Sequence, residues 1–327
     1  MSGSAGRALG PVGRTGVLFG ADLGGTKLRA ALADASGTIL GELVEPTVRG
    51  TGEEIVAQVA SALATLVARA GVPSGSLRAA GLGLPLAVDP QTGESWSFHN
   101  VPGLAGLGVA AAFRGALGVP VALDNDGNCA ALAEGRGGAA IGVADFAVLV
   151  IGTGIGSGIV IGGRLLRGAH GGAGEVAFLP LGTDPWDERN RVLGAYETAV
   201  AGPAIRARLE VALETRRAGA EATTLATGAG LAEIATAAAA GDALAGHLLD
   251  DEARYVALGI ASIAAVADPE VVVLSGGVGA IGALLEPVRT HVALLAARPP
   301  RIVTGLLGDR APLVGAIALA SDLAGTA

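Results

Sequence analysis

The stretch Val17–Asp34, VLFGADLGGTKLRAALAD, decides the fold class of this chain. Two short apolar runs flank a glycine-bearing turn, and short apolar runs bounded by turn residues predict β-strands. We therefore predict one strand from Val17 to Asp22 and a second from Leu28 to Asp34. With a third strand from Thr38 to Pro46, the chain is predicted to begin with three antiparallel strands.

The turn itself, Asp22-Leu23-Gly24-Gly25-Thr26-Lys27, has the residue types of a phosphate loop. Paired glycines let the backbone bring its N–H groups close to phosphate oxygens, and the Thr26 hydroxyl adds a donor. Asp22 can hold Mg²⁺ or its waters. Lys27 is the only lysine in the chain. Taken alone, the motif also suits a plain hairpin turn.

Helices and strands alternate behind this opening. Apolar residues at Ile55, Val59, Leu63 and Leu66 recur at helical spacing, which predicts a helix over Glu53–Ala70. The remaining elements predicted before Asp124 are strands at Leu77–Pro85 and Pro120–Asp124 and a helix at Leu107–Leu117. The first half is therefore predicted to be a mixed sheet with helices.

The same order then repeats. A helix over Asn128–Arg136 leads to a strand at Phe146–Ile151, a glycine loop, and a second strand at Ser157–Leu166. The loop contains Gly152, Thr153, Gly154 and Gly156, whose alternate glycines can expose N–H donors to a terminal phosphate. The repeat predicts a duplicated architecture.

A third glycine loop, Ser275-Gly276-Gly277-Val278-Gly279, lies between a predicted strand and a helix. Its small residues can admit an adenosine. The other elements of this half are a mostly helical region over Asp187–Ala267, strands at Glu270–Leu274 and Arg301–Leu306, and helices ending near Ala296 and spanning Ala311–Leu323.

The two common nucleotide motifs are absent from the sequence. The loop at Gly152 lacks the third glycine of G-x-G-x-x-G, and Lys27 is not preceded by glycine as a Walker A lysine is. Three glycine loops in this order nevertheless predict a shared phosphate site.

The segment Asp124-Asn125-Asp126-Gly127-Asn128 follows a strand and begins a helix. One interpretation makes Asp126 or Asn128 the N-cap of that helix. The other makes Asp126 a general base, because phosphoryl transfer needs the accepting hydroxyl to be aligned and deprotonated.

Composition narrows the function classes. A chain of 327 residues with 54 glycines and 3% aromatics must build its core from small aliphatic residues, which favours a layered α/β fold in two domains. The net charge of −8 argues against nucleic-acid binding. A single cysteine, Cys129, excludes an internal disulfide. Without a signal peptide or membrane helix, we expect a cytoplasmic protein.

With these motifs the chain resembles the ROK family of sugar kinases and sugar-responsive repressors, within the actin-like ATPase superfamily. The similar segments are Asp22–Lys27, Asn100–Gly103, Asp124–Glu134, Gly152–Glu175, Glu197 and Ser275–Gly279. The resemblance implies two ribonuclease H-like lobes with mixed sheets flanked by helices and a cleft between them. We expect a tail over residues 1–16, one lobe over 17–123 plus 312–327, and the other over 124–311.

The resemblance also implies roles for individual residues. Asp126 would be the catalytic base, Asn125, Glu175 and Glu197 would bind sugar hydroxyls, and Asn100 would line the same pocket. The ATP phosphates would lie at Gly24, Gly25, Thr26, Lys27, Gly152, Thr153, Gly154, Gly156, Gly276 and Gly277, with Asp22 acting indirectly on Mg²⁺. ATP and Mg²⁺ are thus the expected cofactors, a sugar the expected partner, and a homodimer the family expectation.

The sequence departs from the family pattern on the substrate side. Phe178 stands where family members carry a zinc-binding, sugar-contacting His, and Glu188, Asn190 and Ala195 stand where they carry cysteines. We therefore expect no zinc, with Pro180–Asn190 folded by packing and hydrogen bonds and Trp186 as its anchor. Leu86 replaces a glycine that the family places beside the sugar.

The expected function is ATP-dependent phosphorylation of a hexose or related sugar. Two alternatives stay open. A sugar-responsive repressor would need a winged helix-turn-helix ahead of the fold, and only about 16 residues precede the first strand. A noncatalytic sugar or nucleotide sensor is the second alternative, motivated by Phe178 and Leu86.

Overall fold

The computed structural model describes residues 16–73, 75–89, 91–96, 100–216 and 223–325. Residues 1–15 of the predicted tail lie outside the described residues. The strands are β1 (Val17–Leu23), β2 (Lys27–Ala33), β3 (Ile39–Pro46), β4 (Leu77–Leu84), β5 (Ala87–Val88), β6 (Ser95–Trp96), β7 (Val121–Asn125), β8 (Phe146–Ile151), β9 (Ile155–Ile161), β10 (Arg164–Leu165), β11 (Val271–Ser275) and β12 (Arg301–Thr304).

The helices follow the predicted order. They are α1 (Gly52–Ala70), α2 (Val109–Leu117), α3 (Asp126–Gly137), α4 (Glu188–Leu193), α5 (Ala195–Val200), α6 (Gly202–Arg216), α7 (Leu231–Ala239), α8 (Ala243–Ala267), α9 (Gly276–Gly279), α10 (Gly282–Leu295) and α11 (Ala311–Gly325). Short 3₁₀ turns lie at Pro102–Leu104, Val176–Phe178 and Gly308–Arg310.

Two five-stranded sheets share one topology. The first has the order β3-β2-β1-β4-β7 and the second the order β10-β9-β8-β11-β12. In each sheet three antiparallel strands are followed by two strands that run parallel to the first. The duplicated architecture predicted from the two glycine hairpins is confirmed, and so is the mixed α/β class.

Local sequence signals account for the ends of α1. The Thr51 hydroxyl accepts the Glu54 N–H at 3.3 Å, and the Glu54 carboxylate accepts the Thr51 N–H at 2.8 Å, which forms a capping box. Gly71 ends the helix in the left-handed conformation. The predicted apolar stripe, which includes Ile55 and Val59, is buried.

The chain divides into two compact units. One takes the described residues up to Cys129 and those from Pro312 onward, and the other takes Ala130–Ala311. Each unit has its own hydrophobic core, with Phe19 and Phe113 in the first and Tyr196 in the second. The first unit continues past Leu123 because the backbone of Cys129 lies against Gly315. The lobe boundaries drawn from the sequence stay a prediction.

Glycines in the strands explain how the core is filled with so few aromatic side chains. Helix α11 packs so closely on the first sheet that a Cβ added to Gly81 would collide with the carbonyl oxygen of Ala316. The close approach lets the small side chains of Ala316 and Ala320 fill the interface, and both are fully buried.

Two expectations from the sequence are wrong. The predicted single strand Ser157–Leu166 is divided, because the chain turns at Gly162 and Gly163, both with positive φ, between β9 and β10. Trp186 does not anchor its segment, since its side chain is 84% exposed.

Across the part of the chain that the structure describes, no helix is both long and apolar enough to cross a membrane.

Candidate functional site

The first glycine loop is the tip of the β1–β2 hairpin. The Gly24 N–H donates to the Lys27 carbonyl at 2.9 Å. Thr47, which follows β3, supports the tip from the side: its hydroxyl donates to the Gly24 carbonyl at 2.6 Å, and its N–H donates to the Thr26 carbonyl at 3.1 Å. The side chains of Thr26 and Lys27 remain exposed. These hydrogen bonds fix the shape of the loop, and its tip is exposed.

Asn100 lies beside this loop. A Cβ added to Gly25 would come within 2.9 Å of the Asn100 carbonyl oxygen. The residue expected to line a sugar pocket is thus adjacent to a predicted phosphate loop.

Two acidic residues flank β4 at the carboxyl end of the first sheet. Gly83 of β4 pairs with Asp22 of β1 on one side and with Asp124 of β7 on the other. Two strand spacings separate the Asp22 and Asp124 backbones by about 10 Å. Asp124 is buried, and its carboxylate accepts from the Asn128 amide at 2.7 Å. That bond fixes the first turn of α3 to the end of β7.

Asn125 is the N-cap of α3, whereas one of the two interpretations of the sequence placed the cap at Asp126 or Asn128. Its side-chain oxygen accepts the Gly127 N–H at 2.7 Å, two residues along, which is N-cap geometry. The Asp126 carboxylate accepts the same N–H at 2.8 Å. The Gly127 N–H in the first turn of α3 would thus still have an acceptor without Asp126.

Burial changes the proton affinity of Asp126. Its side chain is half-buried. Desolvation raises the pKa of the Asp126 carboxyl to about 6, and backbone N–H donors oppose that shift. A carboxylate with this pKa holds protons more strongly than an exposed aspartate and is still ionised at neutral pH, which is the condition for a general base.

Leu86 lies in the core of the first unit rather than on a polar wall. Its side chain is 1% exposed and belongs to the hydrophobic cluster around Phe19. Its carbonyl is 3.4 Å from the side-chain amide of Asn125. The replacement of glycine by leucine at this position therefore adds no apolar side chain to the surface beside Asn125.

The second glycine loop joins β8 to β9 and is held by Glu197. The Glu197 Oε2 atom accepts the Ile155 N–H at 2.9 Å. A Cβ added to Gly154 would lie 2.6 Å from the same oxygen, so a side chain here would displace the carboxylate. The sequence placed Glu197 among the sugar ligands, and the structure shows one of its oxygens on the predicted phosphate loop.

Two helix starts approach the same loop. The Gly202 N–H, at the start of α6, donates to the Gly152 carbonyl at 2.8 Å. Gly276, at the start of α9, has φ 83° and lies with its backbone against the Ile151 carbonyl. Strands β8 and β11 are neighbours in the sheet, so their carboxyl ends bring Gly152 and Gly276 together.

Glu175 precedes the 3₁₀ turn Val176–Phe178, which packs against α5. The Ser157 hydroxyl of β9 donates to the carbonyl of the preceding Gly174 at 2.7 Å, which fixes the backbone before Glu175. Glu175 and Glu197 thus lie on elements in contact. The side chain of Phe178 is 38% exposed.

The segment expected to bind zinc in relatives is held by hydrogen bonds here. The Thr198 hydroxyl bonds to the Asn190 side-chain oxygen at 2.8 Å and to the Thr183 hydroxyl at 2.9 Å, while the Asn190 amide donates to the Asp184 carbonyl at 2.8 Å. We call these four residues the polar clasp. Among the described residues, no group of His, Cys, Asp and Glu has the arrangement of a metal centre. The absence of zinc itself stays a prediction.

Comparison with known proteins agrees with this architecture. The model of the ROK family matches residues 18–323. The chain belongs to the ROK family. It is 30% identical over 315 residues to a glucokinase of Halalkalibacterium halodurans, covering 90% of this chain and 92% of that protein. The expected fold class, two actin-like ATPase halves with mixed sheets, is confirmed.

Solved structures of the family share the fold. A ROK hexokinase from Thermus thermophilus is 34% identical with a TM-score of 0.74, covering 95% of this chain and all of that one. A ROK glucokinase from Streptomyces griseus, in complex with glucose and AMPPNP, is 28% identical with the same TM-score, covering 94% of this chain and all of that one. The chain spans about half the length of a 33% identical bifunctional NanE/NanK enzyme from Brucella suis, which covers 92% of this chain.

Sequence reasoning missed the groups that support the loops. Nothing near Thr47 marked it as a partner of Gly24, since the two are 23 residues apart. Gly202-Pro203 carries a helix-start signal, because proline suits the first turn, but its contact with Gly152 depends on the fold.

Proposed function

We propose that this protein transfers the γ-phosphoryl group of ATP to a hydroxyl of a hexose, with Asp126 as the general base. The observation that carries the proposal is the state of Asp126. Its carboxylate lies at the junction of β7 and α3 with a pKa raised to about 6, and Asn125 supplies the helix cap.

The chain is an enzyme of the sugar-kinase class. Family membership supports this, as do relatives named hexokinase and glucokinase. The relative bound to glucose and AMPPNP supports ATP as donor and a hexose as acceptor. Glucose is therefore the first substrate to test.

In the proposed reaction, Asp126 accepts the proton of the sugar hydroxyl as that oxygen bonds to the γ-phosphorus. The bond between phosphorus and the bridging oxygen breaks, and ADP leaves with the electron pair. The phosphate oxygens would be held by the loops at Gly24–Lys27 and Gly152–Gly156 and by Gly276 and Gly277. General-base help of this kind contributes roughly 10²–10⁴ in rate.

Mg²⁺ fits the donor set beside the first loop. Asp22, a partly buried carboxylate at the end of β1, offers the hard oxygen ligands that Mg²⁺ prefers, directly or through water. When bound, Mg²⁺ would neutralise charge on the phosphate oxygens.

We assign sugar binding to Asn125, Glu175 and Glu197, with Asn100 nearby. Carboxylates and amides match the donors and acceptors of sugar hydroxyls, and a site built for them penalises a ligand that lacks one. The contact of Glu197 with Ile155 adds a link from the sugar side to the second phosphate loop.

The decisive experiment measures ADP release across a panel of hexoses and N-acetylhexosamines, for wild type and Asp126→Asn. Asparagine keeps an acceptor for the Gly127 N–H but cannot accept the proton. We expect kcat to fall at least about a hundredfold while AMPPNP and sugar still bind.

The matched control is Asp34→Asn. Asp34 also accepts backbone N–H groups, from Ser36 at 2.8 Å and Thr38 at 3.0 Å, but at the opposite end of β2 from Lys27. It should keep normal turnover. Near-normal kcat in folded Asp126→Asn would overturn the base assignment. Wild-type protein that binds AMPPNP but phosphorylates no sugar would favour the sensor alternative.

A further inference from the structure

An ion pair between a partly buried arginine and a buried glutamate lies in the second unit, outside the residues assigned above. Glu252 of α8 is fully buried, and its Oε2 atom pairs with the Nη2 atom of Arg208 on α6. Glu252 Oε1 and Arg208 Nε have no hydrogen-bond partner among the described residues. A buried pair with unpaired polar atoms usually stabilises a fold less than apolar side chains of the same volume. Stability alone is thus a poor reason for its presence.

Arg208 also connects three helices. Its Nη1 atom donates to the carbonyl of Ala199 on α5, and its guanidinium lies 4.9 Å from the centre of the Tyr255 ring of α8. The same side chain therefore holds α5 and α8 to α6. Because guanidinium is planar with donors in fixed directions, it sets the orientation of these helices as well as their distance.

Helix α5 leads directly into α6, and we call this junction the α5–α6 corner. The corner forms hydrogen bonds to both ends of the second glycine loop. Glu197 of α5, two residues before Ala199, accepts the Ile155 N–H, and Gly202 at the start of α6 donates to the Gly152 carbonyl. Tyr196, next to Glu197, is fully buried, and its hydroxyl lies against Gly259 of α8. A shift of α5 relative to α8 would therefore move both bonds to the loop.

We propose that Arg208 and Glu252 are positioning residues that hold the α5–α6 corner so that Glu197 and Gly202 keep the loop Gly152–Ile155 in its phosphate-binding shape. This rests on the proposed function, in which that loop holds the phosphates of ATP. The pair acts on the loop through the two hydrogen bonds that Glu197 and Gly202 make to it.

The test separates positioning from stability with three variants. Arg208→Met leaves Glu252 buried and unpaired, so it should be destabilised. Arg208→Met/Glu252→Leu removes both charges and should recover the free energy of unfolding. It still lacks the bond to the Ala199 carbonyl. Arg254→Gln is the matched control, because Arg254 lies on α8 and pairs with Asp250 at 3.1 Å on the exposed surface.

Two readouts are needed. The first is the Kd for AMPPNP without sugar, which we expect to rise at least about tenfold in the double variant and to stay within twofold in Arg254→Gln. The second is hydrogen exchange of peptides covering residues 152–158 and 195–202, which should become faster in the double variant.

The outcomes distinguish this inference from the proposed function. A stable double variant with wild-type Kd and wild-type exchange at residues 152–158 would overturn the positioning role. If wild-type protein binds no AMPPNP, the proposed function fails. Hydrogen exchange then decides alone whether the pair controls the loop: faster exchange in the double variant supports that control, and unchanged exchange overturns it.

Discussion

The carboxylate of Glu197 accepts the backbone N–H of Ile155 at 2.9 Å across 42 residues of sequence. This bond joins a residue expected to recognise sugar with a loop expected to hold phosphate. Because a charged acceptor strengthens such a bond, the loop conformation depends on Glu197 as well as on its own glycines.

Truncation of Glu197 should therefore weaken nucleotide binding. Glu197→Gln keeps an acceptor oxygen and should hold the Kd for AMPPNP within about threefold of wild type. Glu197→Ala leaves the Ile155 N–H without its acceptor. Loss of a charged hydrogen bond of about 1.5–3 kcal/mol predicts that the Kd for AMPPNP rises about 10- to 150-fold. Calorimetry without sugar measures this. Glu210→Ala, on the exposed face of α6, is the control and should leave the Kd unchanged. Equal Kd values for Glu197→Ala and Glu197→Gln would contradict the prediction.

The raised pKa of Asp126 predicts an acid limb in the rate. A general base must be unprotonated, so kcat/KM should rise with pH through an apparent pKa of about 6 and level off above it. The limb should be missing from the residual activity of Asp126→Asn. A profile that levels off below pH 5 would count against Asp126 as the base.

The same raised pKa also affects stability. A higher pH favours the activity of Asp126 as a base but lowers the free energy of unfolding. The folded-state pKa of the Asp126 carboxyl lies above the unfolded value of 3.8, so ionisation disfavours the folded state. The cost is absent below pH 3.8, grows between pH 3.8 and 6, and is complete above pH 6. Asp126→Asn should thus raise the free energy of unfolding at pH 7 by up to about 3 kcal/mol. Chemical denaturation of the wild type and the variant at pH 4 and at pH 7 measures this gain, which should be much smaller at pH 4.

The polar clasp predicts a fold that needs no zinc. Elemental analysis should find less than stoichiometric zinc, and a chelator should leave the melting temperature unchanged at saturating Mg²⁺. Asn190→Ala removes bonds to Thr198 and Asp184 and should lower the free energy of unfolding by about 1–3 kcal/mol.

The control for the clasp is Arg191→Ala, an exposed residue of the same short helix, which should change stability by less than about 0.5 kcal/mol. One zinc ion per chain, or unfolding by chelator, would refute the account.

Phe178 predicts a sugar preference that depends on an apolar ring. Its side chain is partly exposed at the end of the 3₁₀ turn that begins after Glu175. Phe178→His adds a hydrogen-bond donor and should change the ratio of kcat/KM values among epimeric hexoses, whereas Phe178→Leu should retain the wild-type order. An identical profile for all three proteins would place Phe178 outside the sugar site.

The sequence by itself determined the order of the elements and the places where chemistry occurs. Strand and helix periodicity gave the hairpin at Gly24, the helix at Ile55 and the repeat at Gly152, because these signals act over a few residues. Residue types alone marked Asp126 as a candidate base. They left its capping role open, since Asn125 and Asp126 can both accept the Gly127 N–H.

Tertiary structure decided which distant groups meet. Thr47 supports Gly24, and Arg208 reaches both Ala199 and Glu252, through contacts for which the local sequence carries no signal. The side chain of Leu86 lies in the core, and that of Trp186 lies in solvent, although both are apolar. Burial depends on what the rest of the chain places around a residue, and hydrogen bonds between distant segments depend on sheet register and helix packing, which only the folded chain specifies.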